Sequence, residues 1–264
     1  MSARSTRTWR GLAVALSTLV LGGAVTLAGQ AWAHEGAHKG TKGPHGKGVR
    51  GSVECSGVAP TAVAHDLIVP AGKTCTILAG TSVRHDVVVR RGATLTDEGG
   101  QIGHDIRADD PAGIGIGGGT GAGGQPILGS VRHDVSLAGV SGAGPGRLGA
   151  NYVCGTQIGH DLVVKRSSAS AGEWVIGDTD AGLCSQGNKV RHDLRVRGNA
   201  NRVDVSDNNV PARWAIGHDL TVQGNALAPV VESNTVRHAA SCQANRTQDG
   251  DGTPNVAGRR NSCG

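Results

Sequence analysis

The chain has 264 residues, with 26 Lys and Arg against 21 Asp and Glu, 44 Gly, 6 Cys, one Tyr and no Phe. So little aromatic volume argues against a helical bundle or one large globular core; short Val, Ile and Leu runs point to a narrow core recurring along an axis. Of the formal charge of +5, the first 50 residues carry +6 and the rest of the chain one net negative charge, which with Tyr152 as the only Tyr or Phe excludes a nucleic-acid footprint.

Residues 1–33 read as a secretory signal. Arg4, Arg7 and Arg10 precede a short apolar stretch, and Ala31-Trp32-Ala33 is a small-x-small cleavage site. The stretch is too short and too glycine-broken for a membrane anchor, so the expected location is extracellular, with no membrane anchor. Residues 34–50 form a His/Lys/Gly-rich tail. His34, which cleavage would make the N-terminus, joins His38 and His45 as the candidate site for a weakly held divalent metal; no other cofactor is expected.

From residue 51 a motif recurs. It runs Val63-Ala64-His65-Asp66-Leu67-Ile68-Val69, then Val83-Arg84-His85-Asp86-Val87, Ile102-Gly103-His104-Asp105-Ile106 and Val131-Arg132-His133-Asp134-Val135. It returns as Ile158-Gly159-His160-Asp161-Leu162, Val190-Arg191-His192-Asp193-Leu194 and Ile216-Gly217-His218-Asp219-Leu220, and ends in the degenerate Val236-Arg237-His238-Ala239. Alternation on both sides of the His-Asp step predicts two short strands meeting at a corner. Successive histidines lie 20, 19, 29, 27, 32, 26 and 20 residues apart. The short intervals fit one solenoid coil, and the long ones a coil with a loop inserted, at 111–126 or 141–146 for example.

The fold expected is therefore all-β: a single-stranded right-handed parallel β-helix over 51–242, followed by a disulfide-tethered segment at 243–264. The residue before His is Ala64 in the first repeat and then alternates between Arg and Gly, which keeps like charges two coils apart. At the corner Asp is expected to accept backbone N–H groups, and His to take a left-handed φ.

Six cysteines fit an exported, disulfide-bonded chain. Cys55 and Cys75 each precede a repeat histidine by ten residues, so stacking predicts that they pair. Cys154 and Cys184 lie in consecutive intervals, which leaves Cys242 with Cys263.

The aliphatic-x-His-Asp-aliphatic pattern resembles the short aliphatic-x-Gly-Asp-aliphatic repeats of bactofilin-like, polymer-forming β-helices, and secreted solenoids with disulfides. The resemblance covers about 51–242 and implies a parallel β-helix. The chain departs from that pattern in its histidines, irregular coil lengths and cysteines.

The His-Asp steps have two chemical readings. As ligands they would form a metal array; as stacked carboxylates, Asp66, Asp86 and Asp105 would have a glycosidase-like separation. A catalytic centre is a singular place, whereas this step recurs intact seven times, so the ladder is read as structural and no catalytic residue is assigned. The expected function is a non-catalytic extracellular structural or binding solenoid whose partner is a glycan or another copy of itself. A polysaccharide lyase or hydrolase using Arg90, Arg91, Arg195, Arg197 or Arg202 is the alternative, and metal binding by the tail the third reading.

Three further motifs are weak. Gly113-x-Gly115-x-x-Gly118 matches a dinucleotide fingerprint in letters only and reads as a flexible loop. Trp174-Val175-Ile176-Gly177 and Trp214-Ala215-Ile216-Gly217 suggest tryptophans at equivalent, packed positions. Asp249-Gly250-Asp251-Gly252 has calcium-loop character without a distal Glu.

Overall fold

A computed structural model describes residues 51–119, 125–179, 183–209, 214–246 and 252–263. The expected signal at 1–33, the tail with His34, His38 and His45, and Asp249 to Asp251 lie outside those residues.

Three parallel sheets make the architecture, each receiving one strand per coil. The first sheet has ten strands, among them Leu67–Val69, Val87–Val89, Ile106–Asp109, Val135–Ala138, Leu162–Lys165, Leu194–Arg197 and Leu220–Gln223, which directly follow the His-Asp steps. The second has eight, from Gly57–Val58 and Thr74–Ile77 to Val203–Ser206 and Val230–Glu232. The third has six, from Ala62–Val63 to Lys189–Val190, and single bridges at Ile216 continue it to Val236. Each coil visits the third, first and second sheets in turn, so every strand pairs with its counterparts one coil away. This is a parallel β-helix.

Alternation sets the core. In Leu67–Val69 the outer two residues are buried and Ile68 is partly exposed, and Val87–Val89 repeats the pattern in register. Each coil contributes a few aliphatic side chains, each stabilising by about 1.5–3 kcal/mol when buried, and the sum grows with coil number rather than with core width. A chain poor in aromatics can build such a core. Among the described residues no helix is long and apolar enough to cross a membrane.

The coil pattern continues past residue 242. Thr235–Val236 pairs with Val256–Ala257, and Ala239–Gln243 pairs with Arg260–Asn261. The tethered segment thus adds a last partial coil. All three disulfides have the expected partners: Cys55–Cys75, Cys154–Cys184 and Cys242–Cys263. Equivalence of stacked positions holds only for Cys242–Cys263, since Ala240 aligns with Asn261. Cys75 aligns with Gly57, while the Cys55 N–H bonds the Ile68 carbonyl in the first sheet. That bond joins two different sheets across a shortened first corner.

Three expectations fail for physical reasons. Gly113–Gly117 is a buried strand of the second sheet and no loop. Glycine is needed there because a Cβ on Gly115 would lie 2.6 Å from the Tyr152 ring and from Pro145, which cover that strand. Trp174 is buried in the second sheet, its indole N–H donating to Ser167 Oγ at 2.8 Å. Trp214 precedes the third-sheet bridge at Ile216, so the two tryptophans are not equivalent. Nor do the histidines adopt left-handed φ. The described non-glycine residues with positive φ are Asp110, Leu148, Arg166, Asp207, Ser233 and Ala244, none of them in a His-Asp step.

Candidate functional site

The His-Asp steps stack in a single column at the corner between the third and first sheets. Backbone bonds join it coil to coil: the N–H groups of His133, His160, His192, His218 and His238 each donate to the carbonyl of the preceding histidine, at 3.0–3.1 Å. Arg259 extends that ladder by donating to His238.

Side chains add a second ladder, directed one way. The Asp134 carboxylate accepts the His160 Nδ1 at 2.8 Å and the Asp161 backbone N–H at 3.0 Å, both from the following coil. Asp161 does the same for His192 and Asp193, Asp193 for His218 and Asp219, and Asp86 for His104 and Asp105. Each carboxylate thus clasps the next coil by its main chain and its imidazole together. Where an outward position of the first sheet holds arginine, the clasp is reinforced. Arg107 reaches Asp86 and Asp105, and Arg195 reaches Asp161 and Asp193.

The electrostatics follow. Burial alone would raise the Asp161 carboxyl, but the His192 hydrogen bond, the Asp193 N–H and the charges of Arg195 and His160 outweigh it and hold it below the ordinary range. Asp193 and Asp105 are depressed for the same mixture of reasons, with an N–H of the following coil as the largest opposing influence. The Asp134 hydrogen bond raises His160.

Ring geometry bears on metal binding. Among the described residues four groups, centred on Asp105, Asp161, Asp193 and Asp219 with their flanking histidines, bring ligand atoms within 4.8 Å of one another. The His160, His192 and His218 rings stack nearly parallel, 4.7 and 4.9 Å apart, with every Nδ1 engaged by a carboxylate. An ion shared by two imidazoles at about 2.1 Å needs nitrogens within about 4.2 Å, and parallel rings aim their remaining lone pairs side by side. The tighter pairs are His104–His133 at 4.3 Å and His218–His238 at 4.4 Å, in tilted and edge-on arrangements.

The arginines weighed for a lyase do not converge. Arg91 pairs with Asp110, Arg195 with Asp161 and Asp193, and Arg202 with Glu173. Arg90 and Arg197 are exposed on the first sheet.

Two buried asparagine ladders have no counterpart in the sequence reading. Asn188, Asn208, Asn234 and Asn255 stack where the second sheet turns into the third. The side-chain oxygens of the last three each accept the backbone N–H and the side-chain amide of the asparagine one coil before. Asn199, Asn225 and Asn245 repeat the arrangement where the first sheet turns into the second. The signal was present: Asn two residues before Val190 and Val236, and Gly-Asn at 198–199 and 224–225. Two acids also sit where carboxylates are costly. Burial pushes Asp97 up to about 6 and Asp204 up to about 7.

The chain matches no protein-family model, and searches of curated proteins and of solved structures return no match.

Proposed function

We propose that this chain is a secreted, non-catalytic scaffold, a disulfide-bonded rod whose His-Asp column serves to hold coil to coil. The observation that carries this reading is the clasp itself. The carboxylates of Asp86, Asp134, Asp161 and Asp193 are used on the following coil, so the groups a catalyst would need are consumed by structure. Three disulfides fit an oxidising exterior. The bactofilin-like kinship rests on the repeat pattern and on the parallel β-helix it foretold.

The test is Asp161→Asn, followed by thermal unfolding with and without a chelator and by assay on a panel of polysaccharides. A lower unfolding temperature that chelator does not change is the expected result. Stability that depends on metal, or cleavage of a polysaccharide that the variant loses while still folded, overturns the proposal.

A further inference from the structure

The third sheet carries a groove of about 1100 Å³ along its outer face. Its floor is a register column of small and polar side chains, Ser82, Gln101, Ser130, Gln157 and Lys189, with the Ser130 hydroxyl donating to Gln101 Oε1 at 2.5 Å. One wall is the residue before each repeat histidine, which places exposed Arg84, Arg132 and Arg191 in line. Among the described residues no Asp or Glu lines the groove. Among the described residues none of these three arginines, nor Lys189, takes part in an ion pair, whereas Arg91, Arg107, Arg195 and Arg202 elsewhere all do. A second groove, on the first sheet, mixes Arg90, Arg107 and Lys165 with Asp105, Asp109 and Asp134 and so lacks that polarity.

The backbone fixes the spacing of the row. A Cβ on Gly103, Gly159 or Gly217 would lie 2.1, 1.8 or 2.0 Å from the carbonyl oxygen of the arginine one coil before. Side chains are thus sterically barred from alternate coils, and Gly258 after Arg237 continues the rule. This close approach replaces charge crowding as the reason for the Arg/Gly alternation. It sets the backbone positions of the free arginines about 10 Å apart, two strand spacings, with glycine slots between them.

We propose that this face docks a linear acidic polysaccharide, with Arg84, Arg132 and Arg191 each receiving a carboxylate and Gln101, Ser130 and Gln157 meeting sugar hydroxyls. Guanidinium is the side chain best suited to planar carboxylates. The floor supplies both donors and acceptors, as a polyhydroxylated chain requires. Bases would need a run of aromatic platforms, and among the described residues the groove offers the His133 ring with no Phe, Tyr or Trp. This inference goes beyond the scaffold reading and stands apart from it, since it uses none of the column's clasping carboxylates.

The experiment is titration calorimetry of the full chain with polygalacturonate, neutral dextran and a single-stranded oligo-dT, at low and at raised salt. Salt-sensitive binding of polygalacturonate alone is expected. The variant R84Q/R132Q/R191Q should weaken it by about tenfold or more with an unchanged unfolding temperature. R90Q/R197Q/R260Q, which removes equal charge from the first sheet, should leave it unchanged. Absence of polygalacturonate binding, equal binding of dextran, tighter binding of oligo-dT, or equal loss in both triple variants overturns the proposal. Loss of stability in Asp161→Asn speaks only to the column, so the two readings fail separately.

Discussion

The coils before residue 111 and those after 183 carry the same His-Asp step but hold their corners differently. In the early coils glycines at positive φ, Gly72, Gly80 and Gly92, make the turns, and the Cys55–Cys75 bond joins the first two coils. The His65 and His85 rings lie 6.0 Å apart and tilted by 40°, and Asp66 accepts only the Asp86 N–H, at 3.3 Å. In the late coils positive-φ glycines persist at Gly198 and Gly224, but two asparagine ladders fill the corners beside them, and His192 and His218 stack within 5° of parallel. Repetition of a motif therefore does not make its copies energetically equal. A glycine turn satisfies geometry alone, whereas a buried amide ladder joins each coil to the next at two polar groups and lets inserted loops vary in length around it.

The largest expected effect sharpens that contrast. Asn234 donates to the Val205 and Glu232 carbonyls and to Asn255, and accepts from Asn208. Asn234→Ala would strand several buried polar groups and should cost on the order of 3–5 kcal/mol in chemical denaturation. Gly80→Ala at the corresponding early corner has open space around it and should cost only about 1–2 kcal/mol, from its left-handed φ. Equal costs would erase the distinction drawn here.

The next effect concerns the column. Asp161→Asn removes a charge that His192 and Arg195 both use, and should destabilise by about 2 kcal/mol. Asp66→Asn should cost less than about 1 kcal/mol, because only one long backbone bond depends on it. Equilibrium unfolding of the pair decides the point; a larger loss at Asp66 would reverse the ranking.

Asp97, in the early half, gives the third test. Its oxygen accepts the Gly99 and Gly100 N–H groups inside the core, in register with Ile77 and Ile116. A folded pKa near 6, above the ordinary carboxylate value, means that its contribution is fullest at low pH and is lost as pH rises through about 6. Asp97→Asn keeps an oxygen for both N–H groups and should gain about 1–2 kcal/mol at pH 8, and nothing near pH 4. A gain that does not vary with pH would show that ionisation is not the cause.

Smallest is the shape of the pH profile. Asp105, Asp161 and Asp193 are depressed, so their contribution is present above the ordinary carboxylate range and fades as pH falls through their lowered values. His160 is raised, so its contribution is present below the ordinary imidazole value and fades as pH rises through the elevated one. With Asp97 and Asp204 acting in the same sense as His160, thermal stability should peak on the acid side of neutrality. Asp161→Asn should blunt the fall at low pH, and His160→Gln should slightly flatten the decline above neutrality.

The sequence by itself determined the repeat, the parallel β-helix and the single His-Asp column, because each depends on periodicity, and a solenoid converts sequence period directly into spatial neighbours. Tertiary structure decided what the period cannot express. Whether Asp bonds its own coil or the next depends on side-chain reach across about 4.8 Å. The direction of the clasp, the crossing of Cys55 to a different sheet and the placement of Gly113–Gly117 in a strand all turn on such contacts. In sequence the alternate glycines point to relief from charge crowding, whereas in the stack the carbonyl of the preceding coil occupies the space a Cβ would need. Steric exclusion between coils is a property of the stack, and no single coil's residues record it.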